Sequence, residues 1–213
     1  MKTEVLKAVG KAAIERAARI LKMGGLVAFP TDTVYGVGAQ GFSSEAVEKI
    51  YIAKKRPREK AIPLLIAKAE DLSLVAEDVP EIAWRLIERF WPGGLTLVLP
   101  KAPRLPDVLC AGGDSVAVRM PDHPIALALI EAAGTPLAAT SANISGHPSP
   151  VTAEEVEREL GGRIELILDG GRCPGGIPST VLDLTTEPPT ILRAGPVSRE
   201  EIEELLNKPI KAL

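Results

Sequence analysis

Short apolar runs of strand length alternate with segments of helical period along this whole chain, and nothing between them is long enough to be a linker. That interleaving excludes an all-helical fold, an all-β fold and a string of separate modules. At 213 residues, 46% of them apolar, the chain can fill one large core. It has three Phe, two Tyr and two Trp, so Leu, Ile, Val and Ala must build most of that core. The expected architecture is α+β: one three-layer α/β/α domain on a mixed, twisted sheet over 1–206, with 207–213 a tail that docks or frays.

Helical spacing of Ile14, Ala17, Ala18 and Leu21, stopped by Gly24-Gly25, predicts a first helix. Leu26 to Phe29 then reads as a buried strand, ended by Pro30, a polar cluster (Thr31, Asp32, Thr33, Tyr35) and a glycine-rich turn at Gly36 and Gly38. A helix capped at Ser43 or Ser44 and a strand over Ile62–Ala67 follow. Next come a helix starting near Pro80 and strands over Leu95–Leu99 and Ser115–Arg119. A helix from about Pro124 to Ala133 precedes a strand over Pro136–Ala139. Thr152 with Glu155 and Ser198 with Glu201 have capping-box spacing. Ile164–Leu168, Thr180–Leu184 and Thr190–Leu192 complete the strands.

The formal net charge of −3 provides no overall attraction to nucleic acid. Cys110 and Cys173 are isolated, which excludes a zinc ribbon. There are two histidines, no H-E-x-x-H, no G-x-S-x-G, no Walker A loop and no acidic cluster dense enough for a protein-only metal cage, so metallohydrolase or nucleophilic chemistry has little to work with. The polar start and the lack of an apolar run of transmembrane length make a soluble cytoplasmic protein, with no membrane partner, the expectation.

Four stretches carry chemistry. Lys54 to Lys60 holds five cations between a helix end and Pro63. Some of them suit the helix dipole, and a short loop of this kind also suits a polyphosphate. Arg119 ends an apolar strand, where it either clamps a carboxylate or makes a structural salt bridge. His123 is placed to cap the next helix. Ala139 to Ser149 is a neutral loop of hydroxyls and an amide, and Asp169 to Thr180 is a glycine-rich loop ending in Ser179-Thr180. Arg193 closes another strand.

Taken in order, these segments resemble the YrdC family of threonylcarbamoyl-AMP synthases. The match runs through P-T-D-T-V-Y-G from Pro30, Lys54-Lys55-Arg56-Pro57, Pro63-Leu64, Pro92-Gly93-Gly94-Leu95-Thr96, and Val116–Arg119 with His123-Pro124. It continues through Ser141-Ala142-Asn143-x-Ser145-Gly146-x-Pro148-Ser149-Pro150, Ser179-Thr180-Val181 and Ile191-Leu192-Arg193, covering about 14–206. The resemblance implies a strongly twisted sheet with a basic concave face. It also implies synthesis of threonylcarbamoyl-AMP and pyrophosphate from ATP, L-threonine and bicarbonate or CO2. By the same resemblance Thr33, Arg119, Ala139 and Ser179 hold threonine, and Arg56, Lys60, Ser115, Ser141, Asn143, Ser149 and Arg193 hold ATP. Lys54 and Arg56 are then catalytic. Mg²⁺ is expected to ride on the ATP phosphates, with no protein metal site. The product is expected to pass to a tRNA threonylcarbamoyl transferase, with direct tRNA binding weak at most.

Two departures stand out. Many two-domain members have His where this chain has Ala67, and they carry a second domain and a covering linker; this chain resembles the single-domain form. Two other readings remain: a non-enzymatic RNA-binding module, and the carbamoyl-transfer domain of hydrogenase maturation proteins. Few aromatics and a short basic run oppose the first. The lack of zinc-finger and acylphosphatase-like regions opposes the second.

Overall fold

The computed structural model describes residues 2–212. It contains eleven strands in one mixed sheet. The strands are β1 (Glu4–Lys7), β2 (Val27–Phe29), β3 (Gly36–Gln40), β4 (Leu64–Leu65), β5 (Leu95–Pro100) and β6 (Ser115–Arg119), then β7 (Leu137–Ser141), β8 (Leu166–Asp169), β9 (Thr180–Asp183), β10 (Thr190–Arg193) and β11 (Lys211–Ala212). The helices are α1 (Gly10–Lys22), α2 (Ser44–Lys54), α3 (Glu81–Phe90), α4 (Pro124–Ala133), α5 (Ala153–Leu160) and α6 (Arg199–Leu206), with a 3₁₀ segment at Ala69–Leu74. Across the sheet the order is β1-β8-β2-β3-β7-β4-β6-β5-β9-β10-β11. No helix among the described residues is long and apolar enough to cross a membrane.

Local signals place the helices as expected. The Ser43 hydroxyl accepts from Ala46 N, His123 Nδ1 accepts from Ile125 N, and both capping boxes form.

Side-chain alternation along the strands divides the two faces. Leu95, Leu97, Leu99, Val116, Val118, Leu182 and Ile191 face one way and join the main core with α2, α3, α5 and α6. On the other side, α1 and α4 pack on a second core containing Val27, Phe29, Leu65, Leu137, Ala139, Leu166 and Leu168. Burying each of these larger side chains contributes about 1.5–3 kcal/mol. The third layer of the expected sandwich therefore covers only the β1-to-β4 part of the sheet. Over β6, β5, β9 and β10 the same face carries no helix, and there the sheet is open.

Several expectations need correction. Gly36 and Gly38 lie in β3, not in a turn. A Cβ at Gly38 would come within 2.9 Å of Phe29 Cε1, so glycine is needed for the ring to lie across the strand. Ile62–Ala67 is buried apart from the half-buried Pro63, but only Leu64–Leu65 pair in the sheet, since Pro63 lacks an N–H and Ile62 N bonds to Leu109 O. β1 and β11 were not expected. β11 pairs in parallel with β10, so the tail docks.

Candidate active site

A cavity of about 430 Å³ occupies the open half of the sheet. Its floor is the period-two set Thr96 and Val98 (β5), Ser115, Ala117 and Arg119 (β6), Ala139 and Ser141 (β7), with Val181 from β9. Its walls are the 31–36 segment, Arg56 with Ala61 and Pro63, Pro178-Ser179, and Leu192-Arg193. Thus Thr33, Arg56, Ser115, Arg119, Ala139, Ser141, Ser179 and Arg193, named from widely separated motifs, share one space.

Arg119 is only 6% exposed. Its Nε donates to Gly93 O at 2.8 Å, Nη1 to Thr33 Oγ1 at 2.9 Å, and Nη2 to Asp32 Oδ1 at 2.5 Å. Asp32 Oδ1 also accepts from Asp122 N, so one carboxylate ties the β2–β3 loop to the segment after β6. The salt bridge expected as an alternative role for Arg119 is therefore real, with Asp32 as partner, and the same guanidinium lines the cavity. The Asp32–Thr33 segment is backed by the glycine-rich loop: Gly176 N donates to Thr33 O at 2.8 Å. A Cβ on Gly175 would lie 2.6 Å from Asp32 O, so only glycine permits that approach.

Arg56 bends back on its own loop, donating to Lys60 O and Ala61 O. Arg193 donates to Ser179 O and to Ser179 Oγ. Burial lowers all three guanidinium pKa values, and for Arg193 the positive charges of Arg119 and Arg56 lower it further. Three crowded arginines and a single nearby carboxylate, already paired, make a site for an anion of high charge.

Four expected ligands do not line this cavity. Lys54 is 1% exposed at the end of α2, and its Nζ donates to Ser141 O and Asn143 O while its carbonyl accepts from Ser145 N. It braces the 141–145 loop from beneath, and burial lowers its pKa to about 7. Asn143 is buried too; its Nδ2 donates to Ile144 O and His147 O, and its Oδ1 has no partner. Lys60 is exposed, and only its backbone is engaged: its carbonyl accepts from Arg56 and Tyr51, and its N–H donates to Pro57 O. Ser149 stands off the lining. The family resemblance, with the charge and donors of their loops, made these residues candidates; their directions depend on tertiary packing.

Thr96 was missed. It lines the floor and lies 2.7 Å from Ser179 Oγ, and its place in Pro92-Gly93-Gly94-Leu95-Thr96 was the available signal. Among the described residues no three His, Cys, Asp or Glu side chains gather where a cation could sit. This donor set does not fit a protein-held Mg²⁺.

The Sua5/YciO/YrdC family model, described as telomere recombination, matches residues 19–195. The chain belongs to this family. The threonylcarbamoyl-AMP synthase of Pyrococcus abyssi is 50% identical over 195 residues, which is 92% of this chain and 57% of that protein. A putative threonylcarbamoyl-AMP synthase of Mycobacterium tuberculosis is 43% identical, over 91% of this chain and 88% of its own length. The structure of P. abyssi Sua5 complexed with L-threonine superposes with a TM-score of 0.95 at 46% identity, over 100% of this chain and 63% of that one. The chain thus spans little more than half of the Pyrococcus member and nearly all of the mycobacterial one.

Proposed function

We propose that this chain forms threonylcarbamoyl-AMP and pyrophosphate from L-threonine, bicarbonate or CO2, and ATP. The observation that carries the reading is one cavity that joins a buried, pre-bonded Arg119–Thr33 pair to two further arginines, Arg56 and Arg193. Arg119 suits the carboxylate of an amino acid, and the other two suit a triphosphate. The relatives' names and the threonine complex of the Pyrococcus protein support the same assignment.

In this reading the threonine nitrogen adds to the carbon of CO2 and loses a proton. An oxygen of the resulting carbamate attacks the α-phosphorus, and the bond from that phosphorus to the β-phosphate oxygen breaks. Arg56 and Arg193 balance the charge that collects on the departing pyrophosphate, and the cavity floor holds the two reactants together. Lys54 acts through the loop bearing Ser141. ATP can bring Mg²⁺ with it. The chain would work in the cytoplasm, handing its product to a transferase that modifies tRNA.

The test is pyrophosphate release measured with each substrate omitted in turn. Release that needs threonine, bicarbonate and ATP together is expected. Release indifferent to threonine would refute the proposal. A salt-sensitive tRNA affinity exceeding that for ATP would favour the RNA-binding alternative.

A further inference from the structure

The Thr33 hydroxyl is held between a second hydroxyl and a guanidinium. Thr31 Oγ1 lies 2.7 Å from Val34 O, and a carbonyl only accepts, so the single hydroxyl proton of Thr31 is committed there. Thr31 Oγ1 accepts longer bonds from Thr33 N at 3.2 Å and Val34 N at 3.3 Å, and it lies closer, at 3.0 Å, to Thr33 Oγ1, so the proton between the two hydroxyls belongs to Thr33. From the other side Arg119 Nη1, which only donates, reaches Thr33 Oγ1 at 2.9 Å. The Thr33 oxygen therefore accepts from Arg119, donates to Thr31, and retains one lone pair. Thr31 and Thr33 are 3% and 2% exposed, and both line the cavity.

We propose that Thr31 is a positioning residue which makes Thr33 a hydrogen-bond acceptor, so that Thr33 takes the α-amino group of the amino acid whose carboxylate lies on Arg119. This rests on the threonine-binding reading above. Three of the five guanidinium N–H groups of Arg119 are used by Gly93, Thr33 and Asp32, and one remains on each Nη. A carboxylate on those two sits beside Thr33. The amino nitrogen is attached to the carbon next to that carboxylate, whereas the threonine hydroxyl is one carbon further away. The nearest donor to the free lone pair of Thr33 is the amine. An acceptor there also repels a carboxylate oxygen, which fixes the orientation in which the amino acid enters.

Calorimetry with L-threonine, (3R)-3-hydroxybutanoate, which lacks the amine, and L-2-aminobutanoate, which lacks the hydroxyl, tests this on the native chain and on Thr31→Val and Thr31→Ser. The native chain should bind the deaminated compound at least about tenfold more weakly than threonine. Thr31→Val should shrink that ratio to about twofold and leave the 2-aminobutanoate ratio alone; Thr31→Ser should restore it. ATP titration of each variant confirms a folded site. Equal native affinity for threonine and the deaminated compound overturns the proposal without any variant. So does a native-like ratio in a folded Thr31→Val, or a change that falls on 2-aminobutanoate instead. A native chain that binds no threonine refutes the substrate reading itself, whereas threonine binding with an unmoved ratio refutes only the role of Thr31.

Discussion

Replacing Arg119 by lysine keeps the charge and removes the planar fork, and two effects should appear together. The native guanidinium makes three hydrogen bonds, to Gly93 O, Thr33 Oγ1 and Asp32 Oδ1. An ammonium on a flexible stem can keep the Asp32 contact but not all three. Bonds involving a charged group are worth about 1.5–3 kcal/mol each, so losing two, with some relaxation, should lower stability by roughly 3 kcal/mol. In a chain of this length that is about 6–12 °C in Tm. The two N–H groups left for a carboxylate also disappear as a matched pair. Threonine affinity should therefore fall at least about tenfold, equivalent to roughly 1.4 kcal/mol. ATP affinity without threonine should change little, because Arg56 and Arg193 are intact and the charge is kept. Differential scanning fluorimetry and calorimetric titration on the one variant read all three quantities. A folded Arg119→Lys protein with lowered Tm and unaltered threonine affinity would refute the reasoning and leave Arg119 as a structural ion pair with Asp32.

Arg56→Ala should weaken ATP binding by about 1.5–3 kcal/mol with a smaller effect on Tm, by titration and thermal melting. Gly195→Ala should be severely destabilising, because its Cβ would lie 2.3 Å from Thr180 N and 2.5 Å from Ser179 C. Backbone cannot yield to it as a side-chain tip would, and Tm together with threonine affinity will report the damage. Lys54, at about 7, sits below its ordinary 10.5 because of burial. Between those values the unfolded chain holds a proton that the folded chain has released, so stability should rise with pH from about 7 to 10.5. The slope from this group is at most about 1.4 kcal/mol per pH unit. Denaturant melts across that window should lose the slope in Lys54→Met, and an unchanged slope would assign it to other groups.

The strand runs, the caps and the order of motifs were legible because they depend on near neighbours in sequence: Ser43 caps Ala46, and Thr152 pairs with Glu155. The expected threonine set, Thr33, Arg119, Ala139 and Ser179, does share one cavity. What failed depended on distant contacts. Gly36 and Gly38 have turn composition, yet the Phe29 ring and pairing with β7 hold them in a strand. Lys54 belongs to a cationic run, but the helix phase turns it inward, under a loop that arrives almost ninety residues later. β1 and β11 are short, with exposed residues, and draw their definition from partners far along the chain. That helices cover only half of one sheet face is likewise a matter of which strands neighbour which.

The Arg119–Asp32–Thr33 cluster bears on when water is removed. Stripping a guanidinium of its hydration is among the costlier steps in recognising an anion, and here the fold has already done it: Arg119 is enclosed and hydrogen-bonded before any ligand arrives. Its geometry is likewise fixed during folding, so little side-chain entropy remains to be lost on binding. In the proposed role, an incoming carboxylate has only its own hydration to surrender, and it meets a positive group that cannot swing out to follow a poorly placed one. Selectivity at such a point comes from rigidity, since a ligand of the wrong shape finds nothing that will move toward it.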